Sequence, residues 1–161
     1  MRTARKTRPV VAPAIGLAIL ALTVSAVPAQ TASQWRHYST TQGFVSYLDT
    51  GTIRRQGDLV TYRTLRFYRT PQQGRMARHA WITWSEARCT TFEEKDYRMD
   101  GLEADGSIGE TNRQGGVLIA ATPGTVGYST ISHACGKPLT SPALATPAAV
   151  VADAKVRLGI R

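Results

Sequence analysis

The sequence is poor in the residues from which most active sites are built. It holds two cysteines, Cys89 and Cys135, and three histidines, His37, His79 and His133, in 161 residues. The histidines fall on three separate segments and none has a metal-ligand partner at close spacing, so a zinc centre would need the fold to bring all three together. No serine stands in a nucleophile-elbow pattern. Asp100-Gly101 and Asp105-Gly106 have the look of calcium-loop fragments, but Leu102 occupies the intermediate ligand position, and both pairs read as turns. Glu93, Glu94 and Asp96 form an acidic cluster on a strand, where facing solvent is the cheapest arrangement. No group of nucleophile, acid–base residue and metal ligand is assembled. The expectation is a protein that is not an enzyme and uses no metal and no cofactor.

A strong charge surplus is also lacking. Charged residues make up 19% of the chain, and the formal net charge is +9. Arg2, Arg5, Lys6 and Arg8 lie in the first eight residues, ahead of an uncharged apolar run over residues 10–24. Small residues follow at Val24-Ser25-Ala26, Val27-Pro28-Ala29 and Ala32. A basic start, a short apolar run and small residues in that order make a secretory signal. The run is short for a spanning helix, which needs about 20 residues. Cleavage within residues 26–32 is the leading reading, and retention as an N-terminal anchor is its rival. The cleavage region carries no cysteine for lipid attachment, and no other stretch is apolar enough to span a bilayer. Without the four N-terminal cations the remainder holds 16 basic and 11 acidic residues, +5. That is moderately basic and argues against nucleic acid. It suits an anionic surface polymer or a protein partner, or simply a solvated surface.

In an exported chain two cysteines most simply make one disulfide. A Cys89–Cys135 bridge closes a segment of 46 residues, worth about 4 kcal/mol by chain entropy. The competing reading is a reactive or metal-binding thiol, which an oxidising compartment disfavours.

The rest of the chain reads as short strands. Residues 33–39 and 43–49 alternate bulky and polar groups. The turn at Asp49-Thr50-Gly51-Thr52 leads to Ile53-Arg54-Arg55 and a second turn at Gln56-Gly57-Asp58. Residues 59–68 form the clearest strand, with Leu59, Thr61, Arg63, Leu65 and Phe67 on one face and Val60, Tyr62, Thr64, Arg66 and Tyr68 on the other. Further strands are expected over 77–88, 91–103, 107–111 and 117–119, with a hairpin at Asp105-Gly106. A short helix over 125–134 is expected, with Thr122 as its cap, Pro123 at its first position and Cys135-Gly136 closing it. Pro138, Pro142 and Pro147 make the following segment linker-like, and residues 148–158 suit a short helix with Val151, Ala154 and Leu158 on one stripe.

Arginine is the most suggestive surface feature. Arg54, Arg55, Arg63, Arg66 and Arg69 crowd one segment, followed by Arg75 and Arg78, with Tyr62, Phe67 and Tyr68 interleaved. Arginine among aromatics suits carboxylate, sulfate or phosphate recognition and protein interfaces. The first five are the candidate patch for an anionic ligand or a protein. Strand alternation pulls the other way, since it sends Arg63 and Arg66 to opposite faces.

The order of features resembles the surface-adhesin protein E family of bacterial exported proteins. Trp35 opens the first strand. Tyr47-Leu48-Asp49 leads into Gly51-Thr52-Ile53-Arg54-Arg55-Gln56-Gly57. Cys89 ends a long strand, Tyr97-Arg98 follows it, and Pro123-Gly124-Thr125-Val126-Gly127 opens a short helix that stops at Cys135. The resemblance covers residues 35–136. It implies an α+β, mainly β fold: an antiparallel sheet of about six strands and a C-terminal helix tied to it by the cysteine pair. The expected layout is therefore a signal over 1–32, the β domain over 33–136 and a Pro/Ala-rich tail over 137–161. The expected role is a noncatalytic binding or adhesion module of the cell envelope, in the periplasm or at the cell surface. The resemblance implies binding of host extracellular proteins. The alternative is a structural or accessory subunit of an envelope complex. Membrane contact is expected only through the signal segment, if that is retained.

Overall fold

Side-chain alternation on the long strands decides the architecture, because it gives the sheet two apolar faces instead of one. The computed structural model describes residues 32–72, 78–113 and 115–160; residues 1–31, which hold nearly all of the expected signal, and Arg75 lie outside the described residues. The elements are β1 (Trp35–Thr40), β2 (Phe44–Asp49), a 3-10 turn (Thr50–Thr52), β3 (Arg54–Gln56), β4 (Leu59–Tyr68), β5 (Ala80–Arg88), β6 (Glu93–Leu102), β7 (Ile108–Arg113), β8 (Ile119–Ala120), α1 (Val126–Ala134), β9 (Ala143–Leu144) and α2 (Pro147–Leu158). All strand pairs are antiparallel. The sheet order is β7-β6-β5-β4-β2-β1-β9, with β3 added to β4 and β8 to β6. Six of these strands have six residues or more, which agrees with the sequence reading. β3, β8 and β9 have two or three residues and exist only through their pairing.

Each face is covered by one helix. On the first face, Trp35, Val45, Tyr47, Leu65, Phe67, Ala80, Ile82 and Leu102 pack against Val150, Val151, Ala154 and Leu158 of α2. On the second, Leu48, Val60, Tyr62 and Ala87 pack against Ile131 and Ala134 of α1. The odd-numbered apolar residues of β4 therefore meet α2 and its even-numbered ones meet α1, as period-2 alternation requires. Large side chains buried this way contribute about 1.5–3 kcal/mol each.

The disulfide joins Cys89, just after β5, to Cys135, the C-cap of α1, with the sulfurs 2.03 Å apart. It therefore fastens α1 to its face of the sheet. The cap at the other end of α1 lies three residues later than the sequence suggested. Thr125, not Thr122, accepts from the Tyr128 amide. Gly124 sits at φ +84, so Pro123-Gly124 makes a turn and the helix starts after it. The Thr125 hydroxyl also donates to the Thr122 carbonyl at 2.6 Å.

The proline-rich segment after Gly136 packs on the sheet. Arg36 donates to the Ser141 carbonyl and the Ser141 hydroxyl donates to the His37 carbonyl. Leu144 then pairs with Trp35 and Ala143 with Arg36. Thr146 caps α2, Pro147 occupies its first turn, and Gly159 at φ +64 ends it. Tyr47 donates to Asp153 at 2.7 Å and Arg157 donates to the same carboxylate at 2.6 Å, which pins α2 to β2.

Candidate functional site

The five candidate arginines are distributed over both faces and both ends of the sheet. Arg63 lies on the α2 face. Its Nε and Nη2 donate to Oδ2 of Asp49 at 2.8 and 2.6 Å. Oδ1 of the same carboxylate, which is fully buried, accepts from the Gln34 and Gly51 amides. The guanidinium centre stands 4.9 Å from the Trp35 ring centroid and 5.1 Å from that of Trp84. Arg98 stacks on Trp84 at 5.3 Å.

Register explains this stack. Trp35 pairs with Leu144 and Asp49, Trp84 with Arg63 and Arg98, and Arg98 with Arg113. The Asp49–Arg63 ion pair joins the two halves into one row across seven strands. Asp100 secures its far side by accepting from Trp84 Nε1 at 3.0 Å, Arg98 Nε at 2.8 Å and the Thr111 hydroxyl at 2.8 Å. Burial opposes ionisation of Asp100, but the hydrogen bonds from Arg98, Thr111 and Trp84 outweigh it and hold its carboxyl below the usual range. Asp100-Gly101 thus lies within β6, near its end, and is not the turn expected from sequence. Arg63 is committed to the fold.

Arg54 and Arg55 are exposed on β3, at the disulfide end of the molecule. Arg54 donates to the Gly51 and Ile53 carbonyls. Arg55 donates to the Gly57 carbonyl at 3.0 Å and the Cys135 carbonyl at 3.3 Å. Exposed Arg88 and Lys137 flank the same disulfide. The acids nearby are Asp58, which accepts from Thr90, and Glu93, which is opposite Arg88 across the strand pair and accepts from Thr91. Arg69 is exposed at the other end and donates to the Gln42 carbonyl.

Arg66 faces the α1 side, in a cleft of about 120 Å³ bounded by β4, β5, β6 and α1. Its guanidinium lies 4.8 Å from the Phe44 ring centroid and 3.5 Å from the Tyr68 hydroxyl. Glu94 and Asp96 line the opposite side of the cleft. Tyr62 donates to Glu94, and Ser85 donates to Asp96 at 2.7 Å. Burial lifts the Glu94 carboxyl above the usual carboxylate range, the Tyr62 hydrogen bond opposes that shift, and nearby Asp96 adds to it. Burial, then the Glu94 charge, pushes the Tyr62 hydroxyl well up. The solvent-facing position expected for the acidic cluster therefore does not describe Glu94 and Asp96. Their i, i+2 spacing, which puts both on one face of β6, was the available signal. Nothing local told which face would be half-roofed by α1.

The histidines stay apart. His37 packs edge-on against Tyr47, His79 stacks on Phe67, and His133 lies against Tyr38. Among the described residues no group of three or more His, Cys, Asp or Glu side chains is arranged to hold a metal. No helix among them is long and apolar enough to cross a membrane.

The sequence profile of the surface-adhesin protein E family matches residues 35–136, from the first residue of β1 to the glycine after the disulfide. The chain belongs to the surface-adhesin protein E family. No curated protein and no solved structure matches the chain. As a member of that family it is a surface adhesion module, exported and directed to a protein or surface partner, and family membership points to a non-enzymatic role. The matched segment of this adhesin-E domain contains the whole sheet except β9, together with α1 and both cysteines. α2 lies beyond it, although its apolar stripe completes the core of the first face.

Proposed function

We propose that this surface-adhesin-E protein is a noncatalytic binding module that engages host extracellular proteins through the basic end at the disulfide. The observation that carries the reading is the Arg54–Arg55 pair, exposed on β3, at the end of the molecule where exposed Arg88 and Lys137 flank the bridged cysteines in sequence. Arg55 rests on two backbone carbonyls and meets no carboxylate within 4.0 Å among the described residues. Its charge is therefore available to an acidic partner, while its position is fixed by the Cys135 carbonyl. Presentation of this kind lowers the ordering cost of recognition. Planar guanidinium groups also suit carboxylate pairing across a wet, polar interface.

The purified protein is tested against immobilised extracellular matrix proteins, with a sulfated polysaccharide as a second surface. Saturable, salt-sensitive binding to the matrix protein is expected, and it weakens at least about tenfold in the Arg54→Ser/Arg55→Ser variant. Binding only to the polysaccharide would redirect the reading to an anionic surface polymer. Absence of binding to either surface, or indifference to the double substitution, overturns it.

A further inference from the structure

The cleft under α1 brings together three charged side chains that close no ion pair with one another, Arg66 acting on Glu94 only from beyond 4.0 Å. Among the described residues, Arg66 has no carboxylate within 4.0 Å, and neither Glu94 nor Asp96 has a cation within that distance. The other arginines on the two long central strands are spent differently: Arg63 is paired with Asp49, and exposed Arg88 lies at the strand end. Arg66 is instead held by ring contact with Phe44 and by the hydroxyls of Tyr68, at 3.5 Å, and Tyr38. Two tyrosine hydroxyls do not use up the five donors of a guanidinium, so the group can still take a carboxylate.

Between the charges the cleft is lined by hydroxyls. Thr64, Ser85 and Thr130 are each buried, and the Thr130 hydroxyl donates to the Val126 carbonyl at 2.8 Å while accepting from Tyr38 at 2.7 Å. The space, about 120 Å³, greatly exceeds the roughly 10–15 Å³ that one water needs. It suits a molecule of a few heavy atoms and excludes a folded partner. An anion alone would meet Glu94 and Asp96, and a cation alone would meet Arg66. A ligand carrying both charges relieves all three.

We propose that this cleft binds a small free α-amino acid, its carboxylate on Arg66 and its ammonium group between Glu94 and Asp96. The site is separate from the basic end and does not depend on the protein-binding reading. Loss of binding to matrix protein in the Arg54→Ser/Arg55→Ser variant leaves it intact.

The test is an amide NMR titration of the purified, disulfide-bonded protein with glycine, L-alanine, sodium acetate and methylammonium chloride. Glycine or L-alanine is expected to give saturable shifts at Thr64, Ser85 and Thr130. Acetate and methylammonium are expected to bind at least about tenfold more weakly. Arg66→Gln and Asp96→Asn should each remove the response to the amino acid. Should Arg66→Gln fail to fold, Asp96→Asn and the four-probe comparison on the unaltered protein decide. The proposal is overturned by an absence of saturable shifts with either amino acid at millimolar concentration. It is equally overturned if acetate binds as tightly as glycine, or if the response survives in a folded Arg66→Gln protein.

Discussion

Replacing Arg63 by alanine should cost far more stability than replacing any exposed arginine. The substitution removes two charge-assisted donors from Asp49 Oδ2, at 2.8 and 2.6 Å, and leaves that fully buried carboxylate with only its two amide donors on Oδ1. An uncompensated buried charge of this kind costs about 3–5 kcal/mol. The loss of stacking on Trp35 and Trp84 adds about 0.5–2 kcal/mol. Arg63→Lys should fall between wild type and alanine, because an ammonium keeps the charge but has no planar fork to lie between two indoles. Asp49→Asn combined with Arg63→Met should recover part of the loss, since it removes both charges together. Urea unfolding followed by tryptophan fluorescence gives these differences, with Arg55→Ala as the exposed reference at about 0.5 kcal/mol or less. If Arg63→Ala costs under about 1 kcal/mol, the row is only a surface decoration, and Arg63 returns to the candidates for ligand binding.

Three further outcomes follow from the same contacts. Cys89→Ala/Cys135→Ala should lower stability by about 4 kcal/mol, given the 46-residue separation, as read by urea unfolding of the variant beside the oxidised protein. Because the Glu94 carboxyl is raised on folding, the native state binds the extra proton, and stability declines as pH rises from the ordinary carboxylate value through the raised one. Glu94→Gln should flatten that decline in a series of melting curves across this window. Thr125→Ala should cost about 1 kcal/mol by removing the cap of α1, whereas Thr122→Ala should cost clearly less, which thermal melts of the two variants will separate.

What the sequence made legible was local. Residues 59–68 alternate without a break, so β4 and its two faces could be read directly. The stripe of Val151, Ala154 and Leu158 likewise marked α2, although Pro147, which read as linker, is its first residue. Misreadings arose where a local signal was overridden by a neighbouring one or by a partner distant in the chain. Thr122 before Pro123 satisfies cap grammar, yet the turn at Gly124 hands the cap to Thr125. Asp100-Gly101 has turn composition, but three donors from β5, β6 and β7 hold Asp100 inside the sheet. Pro138 and Pro142 signal a linker, while the pairing of Leu144 with Trp35 that draws that segment onto the edge is invisible until the sheet exists. The arginine cluster illustrates the same limit. Alternation separated Arg63 from Arg66, but only the register showed that Asp49 and two tryptophans claim Arg63 and leave Arg66 facing a cleft.

The central claim is adhesion through the basic end of the domain. Its most direct measurement is capture of soluble extracellular matrix protein by cells whose own copy of the chain is deleted and then restored. Restoration with the wild-type chain should recover capture, whereas restoration with the Arg54→Ser/Arg55→Ser chain, at equal surface level and with its disulfide intact, should remain near the deleted strain. Equal capture by the two restored strains, or undiminished capture by the deleted one, would contradict the account.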